Sequence, residues 1–124
     1  VSIKKLWINI VKDECLSFNL NNRISTLQFL AEIWINFSFY FEEESECNDL
    51  LTIFKQLTRD QSNLVKYSSL TQLFRLLLIF SKERNFIAPT IYKSLIFILN
   101  FAPYSRIEMT FFFCPFIAKL FKKK

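Results

Sequence analysis

The sequence predicts an all-α fold, about six helices arranged as antiparallel pairs within one domain, residues 1–124. Three observations lead there. Apolar residues recur at i, i+3, i+4 and i+7 along most of the chain, the spacing of amphipathic helices. Gly is absent from all 124 residues, where average usage of roughly 7% would supply about nine, so tight hairpins and left-handed turns lose their preferred residue. The breaks between periodic stretches are short and carry Asn, Asp, Ser or Pro, residues that cap or open helices. With 52% hydrophobic residues, the chain has ample material for a core.

The first helix is expected over residues 2–18, with Ile3, Leu6, Trp7, Ile10, Val11 and Phe18 on the buried side and Lys4, Lys5, Asn9, Lys12 and Asp13 opposite. Residues 19–22 hold three Asn, which favours a turn, and Asn22 is placed to cap the second helix, residues 23–41. That helix buries Leu27, Leu30, Ala31, Trp34, Phe37 and Phe41 and turns Gln28, Glu32 and Asn36 outward. Its last residues, Phe37-Ser-Phe-Tyr-Phe, would also suit a strand by aromatic propensity, but they continue the helical stripe. A solvated acidic loop, residues 42–46, leads to a shorter helix over residues 49–58 that buries Leu50, Leu51, Phe54 and Leu57.

The central helix spans residues 60–85. Leu70, Leu73, Phe74, Leu77 and Phe80 form its stripe, Leu64 and Tyr67 extend it, and Leu76 and Ile79 widen it beyond the needs of a surface helix, which predicts an inner helix. Asp60 is expected to cap its start, with Lys82 and Arg84 near its negative end. Asn85 is expected in the left-handed position that Gly normally fills. Gln72 and Arg75 are expected on the outer face, so Arg75→Glu should stay within the ~0.5 kcal/mol typical of surface changes, whereas Leu77→Asp should unfold the chain by burying an unpaired charge. A fifth helix starts at Pro89 and runs to about residue 101, with Ile91, Leu95, Ile98, Leu99 and Ala102 together. Ser105-Arg-Ile-Glu108 matches a capping box that opens a sixth, interrupted near Pro115.

The long helices begin near Asn22, Asp60 and Ser105, steps of 38 and 45 residues, and the shorter ones near Asn48 and Ala88, a step of 40. In period and pattern the chain resembles the HEAT and armadillo families of α-solenoids, whose helical units run ~40–47 residues. The resemblance spans the whole chain and rests on no signature motif: Pro115 answers to the Pro of a HEAT first helix, while Lys82-Glu-Arg-Asn85 matches the inner-turn Asp and Arg only loosely. It implies stacked units at residues 22–58 and 60–102, flanked by parts of two others, and a non-enzymatic scaffold for proteins of a larger assembly. A chain that opens at Val1 and closes on lysines, with apolar outer helices, is expected to be a segment of a longer array.

Without His there is no Ser-His-Asp triad, HExxH site or Cys2His2 finger, and without Gly there is no phosphate-cradling loop or dinucleotide fingerprint. No enzyme activity, cofactor, metal or small-molecule substrate is expected. Cys15, Cys47 and Cys114 are odd in number and lack CxxC spacing, which suits reduced thiols and an intracellular, cytoplasmic setting, with a cytoskeletal or ciliary complex as one candidate. No uncharged run reaches the ~18 residues of a spanning helix. The expected partner-binding residues are Gln28, Glu32, Asn36, Gln72 and Arg75. The net charge of +5 gathers at the ends, so the competing reading is a peripheral membrane or polyanion-binding module that uses Lys119, Lys122, Lys123 and Lys124. Nucleic acid is disfavoured, because the basic residues form no continuous face.

Overall fold

A computed structural model describes residues 3–101. The described residues form five α-helices and a single 3-10 turn: α1 (Ile3–Cys15), α2 (Leu20–Asn36), the 3-10 turn (Ser38–Tyr40), α3 (Glu44–Leu57), α4 (Asn63–Lys82) and α5 (Ala88–Phe101). The all-α class stands, and no strand occurs among the described residues. The expected sixth helix, its Pro115 kink, Ala102 and Cys114 lie outside them. Contacts group the chain into two compact units, Val1–Gln72 and Leu73–Lys124.

In the first unit α1 packs against α2 and α3, but on a face rotated from the expected one. Ile8, Val11 and Cys15 are buried, while Ile3, Leu6, Ile10 and Phe18 are exposed. The sequence carries apolar residues on two adjoining faces, and Lys4 decides between them: its ammonium pairs with Glu46 at 2.8 Å and donates to the Tyr40 carbonyl at 2.9 Å. The buried face therefore runs through Lys4, Trp7, Ile8, Val11 and Cys15 at i, i+3, i+4 spacing.

The cap of α2 is Asn19, not Asn22; its side-chain oxygen accepts from the N–H groups of Asn21 at 2.9 Å and Asn22 at 3.4 Å. Leu27, Leu30, Ala31 and Trp34 are buried as expected. The helix stops earlier than its stripe suggests. Phe37, at φ −124° and ψ 39°, leaves helical geometry, and the next residues tighten into the 3-10 turn. Phe37 is consequently exposed, while Phe41 swings inward to 2% exposure.

The acidic run is not all loop. Glu44 and Glu46 form the first turn of α3, where carboxylates meet the positive end of the helix dipole, so α3 starts several residues before Asn48. Cys47, Leu50, Leu51, Phe54 and Leu57 fill the centre of the unit, and Trp34 stacks on Phe54 at 6.4 Å between ring centroids. The Ser69 hydroxyl of α4 donates to the Phe54 carbonyl at 2.7 Å, which satisfies a buried group that would otherwise cost stability.

Asp60 lies before α4 rather than capping it directly. Its carboxylate accepts from the Ser62 N–H at 2.9 Å and pairs with Arg23. The Arg23 guanidinium also donates to the Ser17 carbonyl at 2.6 Å, tying the start of α2 to the α3–α4 turn. Its Nε sits 3.2 Å from Asp60 Oδ1 but without hydrogen-bond alignment, so the attraction there is electrostatic.

Along α4, Val65, Ser69, Leu70, Leu73, Phe74, Leu76, Leu77 and Phe80 are buried, spread over about half the helix circumference at 3.6 residues per turn. Leu64 is exposed, and Val65 holds the place expected for it. In the second unit, α4 ends in a Schellman motif: Asn85 N–H bonds to the Phe80 carbonyl at 2.9 Å and Arg84 N–H to that of Ser81 at 3.2 Å. The left-handed residue is Arg84, φ 57°, not Asn85. Asn85 instead steadies the next turn, its side-chain oxygen accepting from the Ile87 N–H at 3.1 Å. Ile87, Ile91, Leu95 and Ile98 are buried on and just before α5.

Candidate functional site

The break between α2 and the 3-10 turn creates an aromatic groove on the first unit. Ile3, Lys4 and Trp7 from α1, Ile33 from α2, and Phe37, Phe39, Tyr40 and Phe41 line an almost wholly apolar groove of about 340 Å³. Phe37 and Phe39 meet edge-on at 6.1 Å, and Tyr40 and Phe41 at 5.4 Å. Trp7 lies tilted against Phe41 at 6.0 Å. Ile3 and Phe39 are exposed by 80% and 67%, so the wall is open to a partner.

Lys4 closes one side. Its ammonium sits 4.7 Å from the centre of the Tyr40 ring as well as on Glu46, a cation–π contact added to a charge-assisted hydrogen bond. The hydrogen bond it donates to Glu46 is the main reason its proton is held more tightly than usual. Beneath the groove, the Cys47 thiol donates to the Phe41 carbonyl at 3.1 Å, anchoring the residue that ends the aromatic run.

The two described thiols, Cys15 and Cys47, are buried, which favours their neutral form. Burial pushes Cys15 up to about 12 and Cys47 up to about 11, with Glu14 beside the first and Glu46 and Glu44 beside the second adding to the effect. Among the described residues no three His, Cys, Asp or Glu side chains are grouped to hold a metal ion. No described helix is long and apolar enough to cross a membrane.

A second hollow of about 650 Å³ lies between the α1–α2 turn and the end of α3, with Arg23, Lys55, Arg59 and Asp60 among its lining residues. Its deepest cation, Arg23, is committed to Asp60 and Ser17. In the second unit, Leu77, Ser81, Arg84, Pro89 and Tyr92 border a more open depression around the Schellman turn.

Of the expected partner-binding residues, Gln28, Glu32 and Asn36 are exposed along one face of α2, and Asn36 donates to the Glu32 carbonyl at 2.9 Å. Gln72 and Arg75 are half-buried and engaged in interactions of their own. Lys119, Lys122, Lys123 and Lys124 lie outside the described residues. The groove escaped sequence reasoning because Ile3, Trp7, Phe37 and Phe41 each fitted a core stripe and Lys4 a polar face. The available signal was four aromatics in five positions, 37–41, running into charge at residue 42 without a helix terminator.

No protein-family model matches the chain, and no curated protein or solved structure matches it.

Proposed function

We propose that the chain is a non-enzymatic helical scaffold that binds other proteins, its helix pairs stacked as a short α-solenoid of the HEAT or armadillo kind. The observation that carries the reading is uncovered apolar surface on the first unit. Ile3, Leu6 and Ile10 leave an open row along α1, continuous through Ile3 with the aromatic groove. Solitary exposed apolar residues are ordinary, but a contiguous row rimmed by polar groups marks an interaction surface. Helix spacing supports the repeat: α2 and α4 begin at residues 20 and 63, and α3 and α5 at 44 and 88, steps of 43 and 44 that agree better than those expected from sequence and fall within the ~40–47-residue range of such units. A unit of this kind buries its outer face only against a neighbour.

Sedimentation of the 124-residue chain over a range of concentrations tests the reading. The expected result is concentration-dependent association that Leu6→Ser with Ile10→Ser reduces without lowering the melting temperature. A strict monomer at all concentrations, with the double variant less stable than the parent, would overturn it, since the row would then be structural. The competing membrane or polyanion reading requires salt-sensitive sedimentation with anionic vesicles that disappears when Lys119, Lys122, Lys123 and Lys124 become Ser.

A further inference from the structure

Resting on that reading, we infer that the occupant of the groove is a short basic amphipathic helix of a protein partner, its apolar side chains seated among Ile3, Trp7, Ile33, Phe37 and Phe39 and its lysines or arginines over Glu42 and Glu43. The apolar half follows from the lining, which is aromatic and aliphatic on both walls. Trp, Tyr and Phe are the residues that dominate protein interfaces.

The charge of the partner follows from the rim. Phe41, at the groove floor, leads directly into Glu42, Glu43 and Glu44, all exposed. Glu43 and Glu46 both act on the Lys4 ammonium at the groove wall, and Glu42 follows the lining residue Phe41 directly, so this end of the acidic run stands beside the groove. Glu46 already matches Lys4 at 2.8 Å. That leaves Glu42, Glu43 and Glu44 to set a negative rim, against the exposed cations Lys5 and Lys12 on α1. Such a rim repels a polyanion or an anionic lipid surface and favours a cationic partner, mostly by speeding encounter and rejecting wrong partners.

The secondary structure of the partner follows from the fold. No strand edge exists among the described residues to extend by β-addition. A groove walled by helix and 3-10 turn is instead suited to a helix presenting side chains at i, i+3, i+4 and i+7.

The test uses the full 124-residue chain and two fluorescein-labelled helical peptides, identical in a leucine stripe and differing only in Lys or Glu at the flanking positions, read by fluorescence anisotropy. The lysine peptide should bind at least tenfold more tightly than the glutamate peptide, and raised salt should narrow the difference. Glu42→Lys with Glu43→Lys should reverse the preference; both residues precede α3, and Glu43 makes no side-chain capping bond, so the fold should hold. Phe39→Ala should weaken both peptides at least tenfold. Equal binding of the two peptides, with Phe39→Ala still harmful, overturns the basic partner while the docking reading survives. Failure of both peptides up to about 1 mM, the weak end of specific association, overturns the groove as a docking site. Self-association abolished by Phe39→Ala but untouched by Leu6→Ser overturns it in favour of a second copy of this chain.

Discussion

Arg84 carries a conformational strain that a single substitution should release. It is the described residue at positive φ, 57°, in a chain that has no Gly to offer. The left-handed region brings Cβ against the following carbonyl at roughly 1–2 kcal/mol for an ordinary residue. Here it is enforced by the Schellman bonds onto Phe80 and Ser81. Arg84→Gly removes the clash but frees the unfolded chain, which withdraws about 0.4–1 kcal/mol. The right reference is Arg84→Ala: it keeps Cβ while deleting the guanidinium, whose place near the negative end of α4 is itself worth about 0.3–1 kcal/mol. Glycine should then exceed alanine by about 0.5–1 kcal/mol. Between the ~4–8 °C per kcal/mol of small domains and the ~2–4 °C of larger ones, that is a melting temperature about 2–4 °C higher. Helical ellipticity followed on heating, with urea unfolding at 25 °C as a check, measures it, and Arg84→Asn should fall between the two. Glycine melting at or below alanine would refute the strain, and with it the placement of the left-handed residue at 84.

The core and the turns allow further expectations. Phe54→Ala, at a fully buried ring stacked on Trp34, should cost about 3–5 kcal/mol. Ser69→Ala should cost only about 0.5–1.5 kcal/mol, because the Phe54 carbonyl keeps its bond from the Thr58 N–H at 3.1 Å; urea midpoints separate the two. Asp60→Ala should cost about 1–3 kcal/mol by stranding a partly buried guanidinium, and Asp60→Asn less, since its side-chain oxygen can still accept from Ser62. Both buried thiols titrate higher in the fold than in the unfolded chain. Their contribution is therefore complete below the ordinary value of 9.0 and is lost as pH rises toward the folded values of about 11 and 12; Cys15→Ala should flatten the alkaline decline in stability, and an unchanged slope would contradict the burial of Cys15.

The helices themselves were legible because their stripes are long: Leu27, Leu30, Ala31 and Trp34, or Leu70 through Phe80, permit one period and one buried face. Their ends were less so. Asn19 and Asn22 are both competent caps, and only tertiary placement of the chain after Ser17 selects the first. Phe37 fits the α2 stripe as well as any core residue, yet the inward turn of Phe41 onto Trp7 outweighs one more helical turn. On α1 two apolar faces compete, and the choice rests on Glu46, 42 positions away from Lys4, a pairing that no local window contains. The groove was hidden for the same reason, since it exists only where those two long-range choices meet.

The two tryptophans follow from that arrangement as a pair of built-in optical reporters. Trp34 is 1% exposed against Phe54, while Trp7 stands half-exposed at the groove wall. Emission from Trp34 should be blue-shifted and shielded from acrylamide, and it should report the integrity of the core. Trp7 should emit further to the red, be quenched readily, and lose that quenching when the groove is filled. A single quenching constant for both would contradict the burial difference. Two distinct ones would let one unlabelled sample record folding and occupancy on separate channels.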